Sequence, residues 1–178
     1  MSTYIALLRA IGGNYTLPMK GLVELLEGMG LSDVRTYIQT GNAVFRSEEL
    51  GPSELPEGIS AEIEKRYGFA PRVIVLTPQE LKEAVASNPY PEAEAEPRTL
   101  HLTFLASTPE DPDLAALERL RKDNERFTLE GRTFYFHAPD GVGKSKLFAR
   151  IERSLGVPGT ARNWRTVSRL AEMVDQEG

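Results

Sequence analysis

Residues 34–46 constrain the fold most, because they have the pattern of two β-strands joined by a tight turn. Within them, Gly41-Asn42 is a two-residue turn signature, in which glycine supplies the positive φ that a type II′ turn requires at its first central position. A turn at these residues predicts the strand pairs Thr40 with Ala43, Ile38 with Phe45, and Tyr37 with Arg46.

Alternate side chains of this hairpin are predicted to lie on opposite faces of its sheet. The face predicted to be buried consists of Val34, Thr36, Ile38, Ala43 and Phe45. The face predicted to be mixed consists of Tyr37, Gln39, Val44 and Arg46. Two such faces are typical of an antiparallel sheet that is covered by helices on one side only.

Composition indicates a soluble globular protein, since 40 % of the 178 residues are hydrophobic and 26 % are charged. The absence of cysteine excludes disulfides, thiolate catalysis and cysteine-ligated metals. The net charge of −5 disfavours broad attraction to nucleic acid or to an anionic membrane. No apolar run is long enough for a membrane helix, and the N-terminus lacks the basic region of a signal peptide. We therefore expect a cytoplasmic protein without membrane association.

The first half of the chain alternates strand and helix patterns. Its predicted elements are the apolar strand 4–11, a helix after Pro18 that carries Leu22, Leu25, Leu26 and Met29, the hairpin, a helix with Ile59, Ile63 and Tyr67 that ends at Gly68, the strand 72–76, and a helix that begins at the capping box Thr77-Pro78-Gln79-Glu80.

The second half shows the same order of patterns. Its predicted elements are a strand with Leu100, Leu102 and Phe104, a helix opened by Asp111-Pro112, a hairpin turned at Glu130-Gly131, a helix with Leu147, Phe148, Ile151 and Leu155 that ends at Gly156, an extended piece 159–162, and a last helix capped by Asn163.

The order β-α-β-β-α-β-α thus occurs twice, and it predicts an α+β fold of two tandem ferredoxin-like halves with antiparallel sheets. The predicted domains are residues 1–88 and residues 98–178, each with a C-terminal helix. Between them, residues 89–97 hold three prolines and three glutamates without apolar periodicity, which is typical of a linker.

Four stretches carry a resemblance to a known family: YIALLR at 4–9, VRTYIQTGNAVF at 34–45, LHLTFL at 100–105 and GVPGTARNWRTV at 156–167. Together they resemble the bacterial DUF1697 family, a domain of unknown function, over nearly the whole chain. The resemblance implies an α+β protein of ferredoxin-like halves and no established activity. The family usually has a longer glycine-rich loop after its Leu-Leu-Arg, whereas residues 10–14 here form a shorter loop, with alanine where glycine is usual.

The sequence Gly141-Val142-Gly143-Lys144-Ser145 partly matches a phosphate-binding Walker A loop. A full motif needs glycine at position 138, where the chain has alanine, and Pro139 removes a backbone N–H from the cradle. In the resembling family this segment follows a Pro-x-Gly…Ser-Lys-Leu pattern, matched by Pro139, Gly141, Ser145, Lys146 and Leu147. The pattern is compatible with a looser anion site at the helix N-terminus, formed by Ser145, Lys144 and free backbone N–H groups. It is also compatible with a plain glycine turn that carries a solvated lysine pair.

Two further groups are candidates for a ligand site. Arg162, Asn163 and Trp164 would line a pocket, or Trp164 would instead pack between the halves while Asn163 caps a helix. Arg9, Asn14 and Asn42 lie at predicted loops or strand ends that would gather anion-binding groups, or Arg9 would form a salt bridge at the sheet edge.

Catalytic motifs are scarce. His101 and His137 are the two histidines, without a zinc-binding pattern, and a Ser145–His137 pair lacks the Gly-x-Ser-x-Gly elbow. We predict no catalytic residue, no metal and no cofactor. Base-stacking side chains typical of RNA-recognition domains are limited to Tyr4 in the first half and to Tyr135 and His137 in the second half.

The leading prediction is a non-enzymatic module that binds a small anionic ligand or a protein partner, in a groove between the halves. Its predicted ligand-binding residues are Arg9, Asn42, Ser145, Lys146, Arg162, Asn163 and Trp164. One alternative is an enzyme that acts on a phosphate- or carboxylate-bearing metabolite. Another is weak nucleic-acid binding, which the acidic net charge disfavours. The oligomeric state cannot be inferred from the sequence.

Overall fold

The computed structural model describes residues 1–9, 16–37 and 41–175, and over these the chain is an α+β protein with two four-stranded antiparallel sheets and six α-helices. The strands are β1 Ser2–Leu8, β2 Ser32–Tyr37, β3 Asn42–Ser47, β4 Val73–Leu76, β5 Leu100–Leu105, β6 Arg126–Glu130, β7 Thr133–His137 and β8 Gly159–Asn163. The α-helices are α1 Met19–Gly28, α2 Leu55–Tyr67, α3 Pro78–Ala86, α4 Leu114–Leu120, α5 Ile151–Leu155 and α6 Trp164–Asp175. Short 3₁₀ helices lie at Pro91–Ala95, Pro97–Thr99 and Phe148–Arg150.

The order of elements along the chain is the one that the sequence predicts. The chain forms two compact units, the first being Met1–Glu83 together with the C-terminal residues from Leu170, and the second Ala84–Arg169. The domain boundaries inferred from the sequence stay a prediction. Within the predicted linker 89–97, both Tyr90 and Ala93 are buried.

In the first unit the strand order is β2-β3-β1-β4. Helices α1 and α2 pack on one face of this sheet and enclose a largely aliphatic core. That face carries Tyr4, Ala6 and Leu8 of β1 and Ala43 and Phe45 of β3. The prediction that Ala43 and Phe45 face the core is therefore confirmed, and Val34 packs against the same cluster.

The predicted turn of the first hairpin is wrong. Asn42 belongs to β3 rather than to the turn and pairs with Tyr37, and Ala43 pairs with Thr36 rather than with its predicted partner Thr40. Gly41 does have a positive φ of 80°, but it ends a longer connection whose residues 38–40 lie outside the described part of the chain. The observed pairing is shifted from the predicted pairing by an even number of residues, so the side chains keep their predicted faces.

The second face of the first sheet is buried, although the sequence predicted a mixed face. Ile5, Leu7 and Val44 are fully buried there, and Ile74 and Leu76 of β4 are nearly so. From this face Arg35 donates through Nη2 to the carbonyl oxygen of Met173 at 2.6 Å. The C-terminal residues of α6 thus cover part of a surface for which the sequence predicted no helix.

In the second unit the strand order is β6-β7-β5-β8. Helices α4 and α5 pack on the face that carries the phenylalanines of the β6–β7 hairpin. Phe127 stacks on Phe134 with ring centroids 5.6 Å apart, and Phe136 stacks on Phe148 at 6.1 Å. Offset aromatic pairs of this kind contribute beyond the area they bury. The opposite face, formed by residues such as Leu102 and Tyr135, is called the second face below.

Several predicted helix ends are confirmed by local hydrogen bonds. The capping box forms in both directions: the Glu80 N–H donates to Thr77 Oγ1 at 3.1 Å, and the Thr77 N–H donates to Glu80 Oε1 at 2.9 Å. Gly68 and Gly156 end α2 and α5 in the left-handed conformation, as predicted. Helix α4 instead begins after Asp113, whose carboxylate accepts from the Ala116 N–H, two residues later than the predicted Asp111.

Candidate functional site

Ser145, in the partial phosphate-loop motif, has a structural partner. Its Oγ accepts a hydrogen bond from the Phe148 N–H at 3.1 Å and so caps the 3₁₀ helix Phe148–Arg150, and the residue is buried. Lys144 and Lys146 are exposed on the same loop. The Ser145 hydroxyl therefore stabilises the backbone of this segment. Anion binding by Ser145 and Lys146 stays a prediction.

Arg162, Asn163 and Trp164 are consecutive in the sequence, but their side chains have different roles in the structure. Arg162 donates through Nη1 to Thr160 Oγ1 at 2.8 Å and to the Ala161 carbonyl at 2.9 Å, and burial lowers the pKa of its guanidinium to about 10. Asn163 Oδ1 accepts from the Thr166 N–H at 3.1 Å, which confirms the predicted cap of α6. Trp164 is buried. The contacts of these residues hold β8 and α6 in place.

Arg9 and Asn42 belong to the first unit. Asn42 is fully buried, lies opposite Leu7 in the sheet and donates through Nδ2 to the Tyr37 carbonyl at 3.0 Å. Arg9 is exposed, and burial of part of its side chain followed by the charge of Arg72 lowers the pKa of its guanidinium. Asn14 and the shortened loop 10–14 lie outside the described residues. The predicted pocket of Arg9, Asn14 and Asn42 therefore stays a prediction.

A polar cluster that the sequence did not predict lies on the second face of the second sheet. We call it the Arg126 cluster, and it consists of Tyr90, Glu92, Arg126, Thr128 and His137. Strands β6 and β7 pair Arg126 with His137, which places both side chains on one face. Tyr90 and Glu92 lie over this face, because Tyr90 precedes the 3₁₀ helix Pro91–Ala95 and Glu92 belongs to it.

The guanidinium of Arg126 has three neighbours. It lies 4.4 Å from the centroid of the Tyr90 ring, a cation–π geometry. Its Nη2 donates to Glu92 Oε1 at 2.5 Å and to His137 Nδ1 at 2.9 Å. The Tyr90 hydroxyl in turn shares a hydrogen bond of 2.7 Å with Thr128 Oγ1. An aromatic ring anchored at its hydroxyl thus supports a half-exposed cation.

The protonation states of the cluster follow from these contacts. Hydrogen bonding from Arg126 lowers the pKa of Glu92, so this carboxylate is ionised at neutral pH. Burial and then the charge of Arg126 lower the pKa of His137. Since a guanidinium only donates, His137 Nδ1 must be the unprotonated acceptor of their hydrogen bond. At neutral pH the cluster therefore holds one cation, one anion and a neutral imidazole.

A cavity of about 290 Å³ opens beside Arg126. Its walls are Tyr90, Glu118, Arg121, Glu125, Arg126 and Phe127. Arg121 is fixed by its own segment, because Nε donates to Glu118 Oε1 at 2.6 Å and Nη1 donates to the carbonyls of Lys122, Asp123 and Glu125. Glu125 is buried and accepts from the Lys122 N–H. Both cations of this wall have exposed ionic partners, since the side chain of Glu118 is 57 % exposed and that of Glu92 is 60 % exposed.

His101, the other histidine, lies on the helix-covered face of the second sheet, opposite Phe136 and edge-on to the Phe148 ring at 5.5 Å. Its Nδ1 is buried and has no hydrogen-bond partner within the described residues. Burial lowers the pKa of His101 to about 4. This histidine is neutral at physiological pH and packs as an apolar ring.

Two searches of the described residues give negative results. No group of three or more histidine, aspartate or glutamate side chains there is arranged to hold a metal ion. No helix there is long and apolar enough to cross a membrane.

The Arg126 cluster could not be found by motif, because its members come from three separate segments. Tyr90 and Glu92 lie in the predicted linker, and Glu92 is 34 residues from Arg126. One signal was available in the sequence, namely an aromatic residue within a proline- and glutamate-rich stretch that otherwise has no apolar periodicity.

The fold and the site define the class as an α+β protein with two four-stranded antiparallel sheets, whose second sheet carries a polar cluster on the face opposite its helices. The model of the family described as "Protein of unknown function (DUF1697)" matches residues 1–135, and the chain belongs to this family. The sequence-based recognition of DUF1697 is therefore confirmed.

One solved structure is similar over the full length of the chain. It is the structure of the conserved bacterial protein SP0830 from Streptococcus pneumoniae, with 22 % sequence identity and a TM-score of 0.69. The match covers 98 % of this chain and 99 % of that chain. At this identity the likeness shows the shared α+β fold alone. No curated protein matches the chain significantly.

Proposed function

We propose that this protein is a non-enzymatic module that binds a small anionic ligand in the cavity beside Arg126. The observation that carries the proposal is a preorganised guanidinium at the wall of a concave site of about 290 Å³. Ligand sites typically combine apolar or aromatic walls with a few convergent polar groups. Tyr90 and Phe127 supply the aromatic walls here, and Arg126 supplies the charge.

The immobility of Arg126 supports affinity for an anion. A free arginine side chain loses conformational entropy when a ligand fixes it, and this loss weakens binding. Here the Tyr90 ring and His137 Nδ1 already hold the guanidinium in the unliganded protein. Its planar donor fork matches carboxylate and phosphate oxygens.

The other charged residues of the cavity, Glu118, Arg121 and Glu125, favour a ligand with a single negative charge. Glu118 and Arg121 neutralise each other through a hydrogen bond of 2.6 Å, and Glu125 is held on the backbone of Lys122. A ligand with a single anionic group is attracted by Arg126 and faces less repulsion from Glu118 and Glu125 than a multiply charged ligand does. A ligand with several negative charges would be repelled by Glu118 and Glu125.

Binding without catalysis is supported by the hydrogen bonds of the candidate nucleophile and bases. Ser145 Oγ caps a 3₁₀ helix, and His137 Nδ1 accepts from Arg126. His101 packs against Phe148. General-base catalysis requires a basic side chain, most often histidine but also a carboxylate, within hydrogen-bond reach of the group it deprotonates. Among the described residues, neither histidine is hydrogen-bonded to Ser145.

We also propose that the two units are tandem ferredoxin-like halves. What supports this is the strand order, with the first strand of each unit between the third and the fourth. Each unit also places its two crossover helices on one face of its sheet. This is the arrangement expected of a split βαβ repeat.

The proposed site is tested by the thermal midpoint of the purified protein against single-charge carboxylates, phosphorylated metabolites and nucleotides. A ligand at 100 times its dissociation constant adds about 2.7 kcal/mol of stability, which is a readily measured shift. We expect a shift with monoanionic compounds and its loss in Arg126→Ala. Arg165→Ala is the matched control, because it removes the charge of an exposed arginine on α6 of the same unit.

A shift that survives in Arg126→Ala would place the ligand elsewhere, and Lys146→Ala and Arg162→Ala would then test the residues predicted from the sequence. A flat response from the whole panel would overturn the small-ligand proposal and favour a protein partner. Chemical conversion of a bound compound would overturn the non-enzymatic assignment.

A further inference from the structure

Glu92 occupies the place on Arg126 that an incoming anion would take. Its carboxylate oxygen Oε1 accepts from Nη2 of Arg126, and both side chains are about half exposed, at 45 % for Arg126 and 60 % for Glu92. Arg126 is part of the cavity wall, whereas Glu92 is not among the residues that line the cavity. A carboxylate of the chain itself is thus already bound to the guanidinium that a ligand's anionic group would need.

We propose that Glu92 is an internal competitor that a small monocarboxylate ligand displaces from Arg126. This inference rests on the proposed anion site. It adds the chemical class of the ligand and names the residue that binds Arg126 when no ligand is present. The class of ligand follows from the contacts of Arg126, since its guanidinium already binds one carboxylate, and the cavity that it lines also has the aromatic rings of Tyr90 and Phe127.

Displacement of Glu92 is favourable because the existing ion pair is weak. An exposed arginine–carboxylate pair contributes little, since water screens it and the side chains lose entropy on pairing. On the 3₁₀ helix Pro91–Ala95, Glu92 and the neighbouring Pro91 are both exposed, so the Glu92 side chain has solvent to move into. A ligand carboxylate restores the lost hydrogen bond and adds contact with the cavity walls.

Arg126 stays in place when Glu92 leaves. Its guanidinium keeps the Tyr90 ring at 4.4 Å and His137 Nδ1 at 2.9 Å, and Tyr90 is held by Thr128. The ligand therefore meets the same preorganised donor that Glu92 met. Only molecules in which Arg126 is not bound to Glu92 can bind the ligand, and pairing with Glu92 lowers the fraction of such molecules.

The test is an NMR titration of the full chain with benzoate, a carboxylate with an aromatic ring, in the wild type and in Glu92→Gln. For an exposed pair of ordinary strength, removal of the competing charge is expected to strengthen benzoate binding by about twofold to sixfold. Glu94→Gln is the matched control, because Glu94 lies on the same 3₁₀ helix and accepts from Asn88 rather than from Arg126. It removes the same charge and is expected to leave the affinity within about twofold of the wild type.

The outcomes separate this inference from the proposed site. Equal affinities in the wild type and Glu92→Gln, with binding lost in Arg126→Ala, would overturn the role of Glu92 and leave the anion site standing. Equal strengthening in Glu92→Gln and Glu94→Gln would assign the effect to net charge and overturn the role of Glu92 as well. Benzoate binding in none of the proteins, or unchanged binding in Arg126→Ala, would overturn both. Tighter binding of inorganic phosphate than of benzoate in Glu92→Gln would overturn the carboxylate class.

Discussion

The second faces of the two sheets differ in chemistry although the two units have the same strand order. In the first unit this face is aliphatic at its centre, with Ile5, Leu7 and Val44 fully buried. In the second unit the corresponding face combines buried Leu102 with Tyr135, whose hydroxyl is hydrogen-bonded, and with the polar Arg126 cluster. The same architecture thus provides packing in one unit and a polar site in the other.

The covering segment explains the difference. In the second unit, Tyr135 donates to the Ala84 carbonyl at 2.7 Å, and Tyr90 lies against His137 with ring centroids 6.2 Å apart. Polar groups are tolerated under a segment only where they find hydrogen-bond partners. Tyr135 is 1 % exposed, so it is not available to stack on a nucleic-acid base. Both histidines of the chain also belong to this unit.

The largest expected effect concerns pH, because the buried histidine lies in the second unit alone. The pKa of His101 is lowered to about 4 by burial, against about 6.5 in the unfolded chain. Between these values the unfolded chain binds more protons than the folded one, so the free energy of unfolding falls as the pH falls from about 6.5 to about 4. The loss is on the order of 3 kcal/mol when complete.

Urea unfolding of the wild type and of His101→Phe at several pH values measures this effect. Phenylalanine suits the apolar surroundings next to Phe148, and the slope between pH 6.5 and 5 should become shallower. His137→Gln is the control, because it removes the other histidine of the same unit, whose pKa is also lowered. His137 is less buried than His101, so its removal should change the slope less. An unchanged slope in His101→Phe would contradict the account of this side chain.

A smaller effect is expected from Tyr135→Phe in the second unit. The substitution removes the hydroxyl that donates to the Ala84 carbonyl and leaves that buried acceptor unpaired, at a cost of about 1–3 kcal/mol. Tyr4→Phe is the matched change in the first unit, where the ring packs near Phe45 and the hydroxyl has no hydrogen bond within the described residues. We expect Tyr4→Phe to change the free energy of unfolding by no more than about 0.5 kcal/mol. Equal losses in urea unfolding would contradict the stabilising role assigned to the Tyr135–Ala84 hydrogen bond.

The smallest expected effect compares one helix cap from each unit. Asn163→Ala removes the acceptor for the Thr166 N–H, and Thr77→Ala removes the acceptor for the Glu80 N–H, so each should cost about 0.5–2 kcal/mol. Asn163→Ser keeps a capping oxygen and should restore most of the stability. Should Asn163→Ser be stable yet lose anion-dependent thermal shifts, the ligand role predicted for Asn163 from the sequence would be supported.

These caps were predictable because their hydrogen bonds join residues three positions apart. The same holds for Gly68 and Gly156, where the left-handed conformation favours glycine within a single turn. The order of strands and helices followed from apolar periodicity in the same way. Of the site predicted from the sequence, the cap role of Asn163 is confirmed, while the ligand roles of all seven residues stay predictions.

The register of the first hairpin was not predictable from its turn signature. Gly41 has the expected positive φ, yet Tyr37 pairs with Asn42, because the pairing also depends on how β3 aligns with β1. The burial of Ile5 and Val44 likewise depends on what covers the face rather than on the alternation along the strand. Local patterns therefore assigned side chains to faces without deciding which faces are buried.

The sequence by itself determined the order of elements, most helix ends and membership of the DUF1697 family, because these depend on residues a few positions apart or on short characteristic stretches. The tertiary structure alone decided the hairpin register, the burial of the second faces and the Arg126 cluster. The physical reason is the sequence separation of the contacts: Tyr90 and Thr128 are 38 residues apart, and their hydrogen bond forms only when the chain between them has folded.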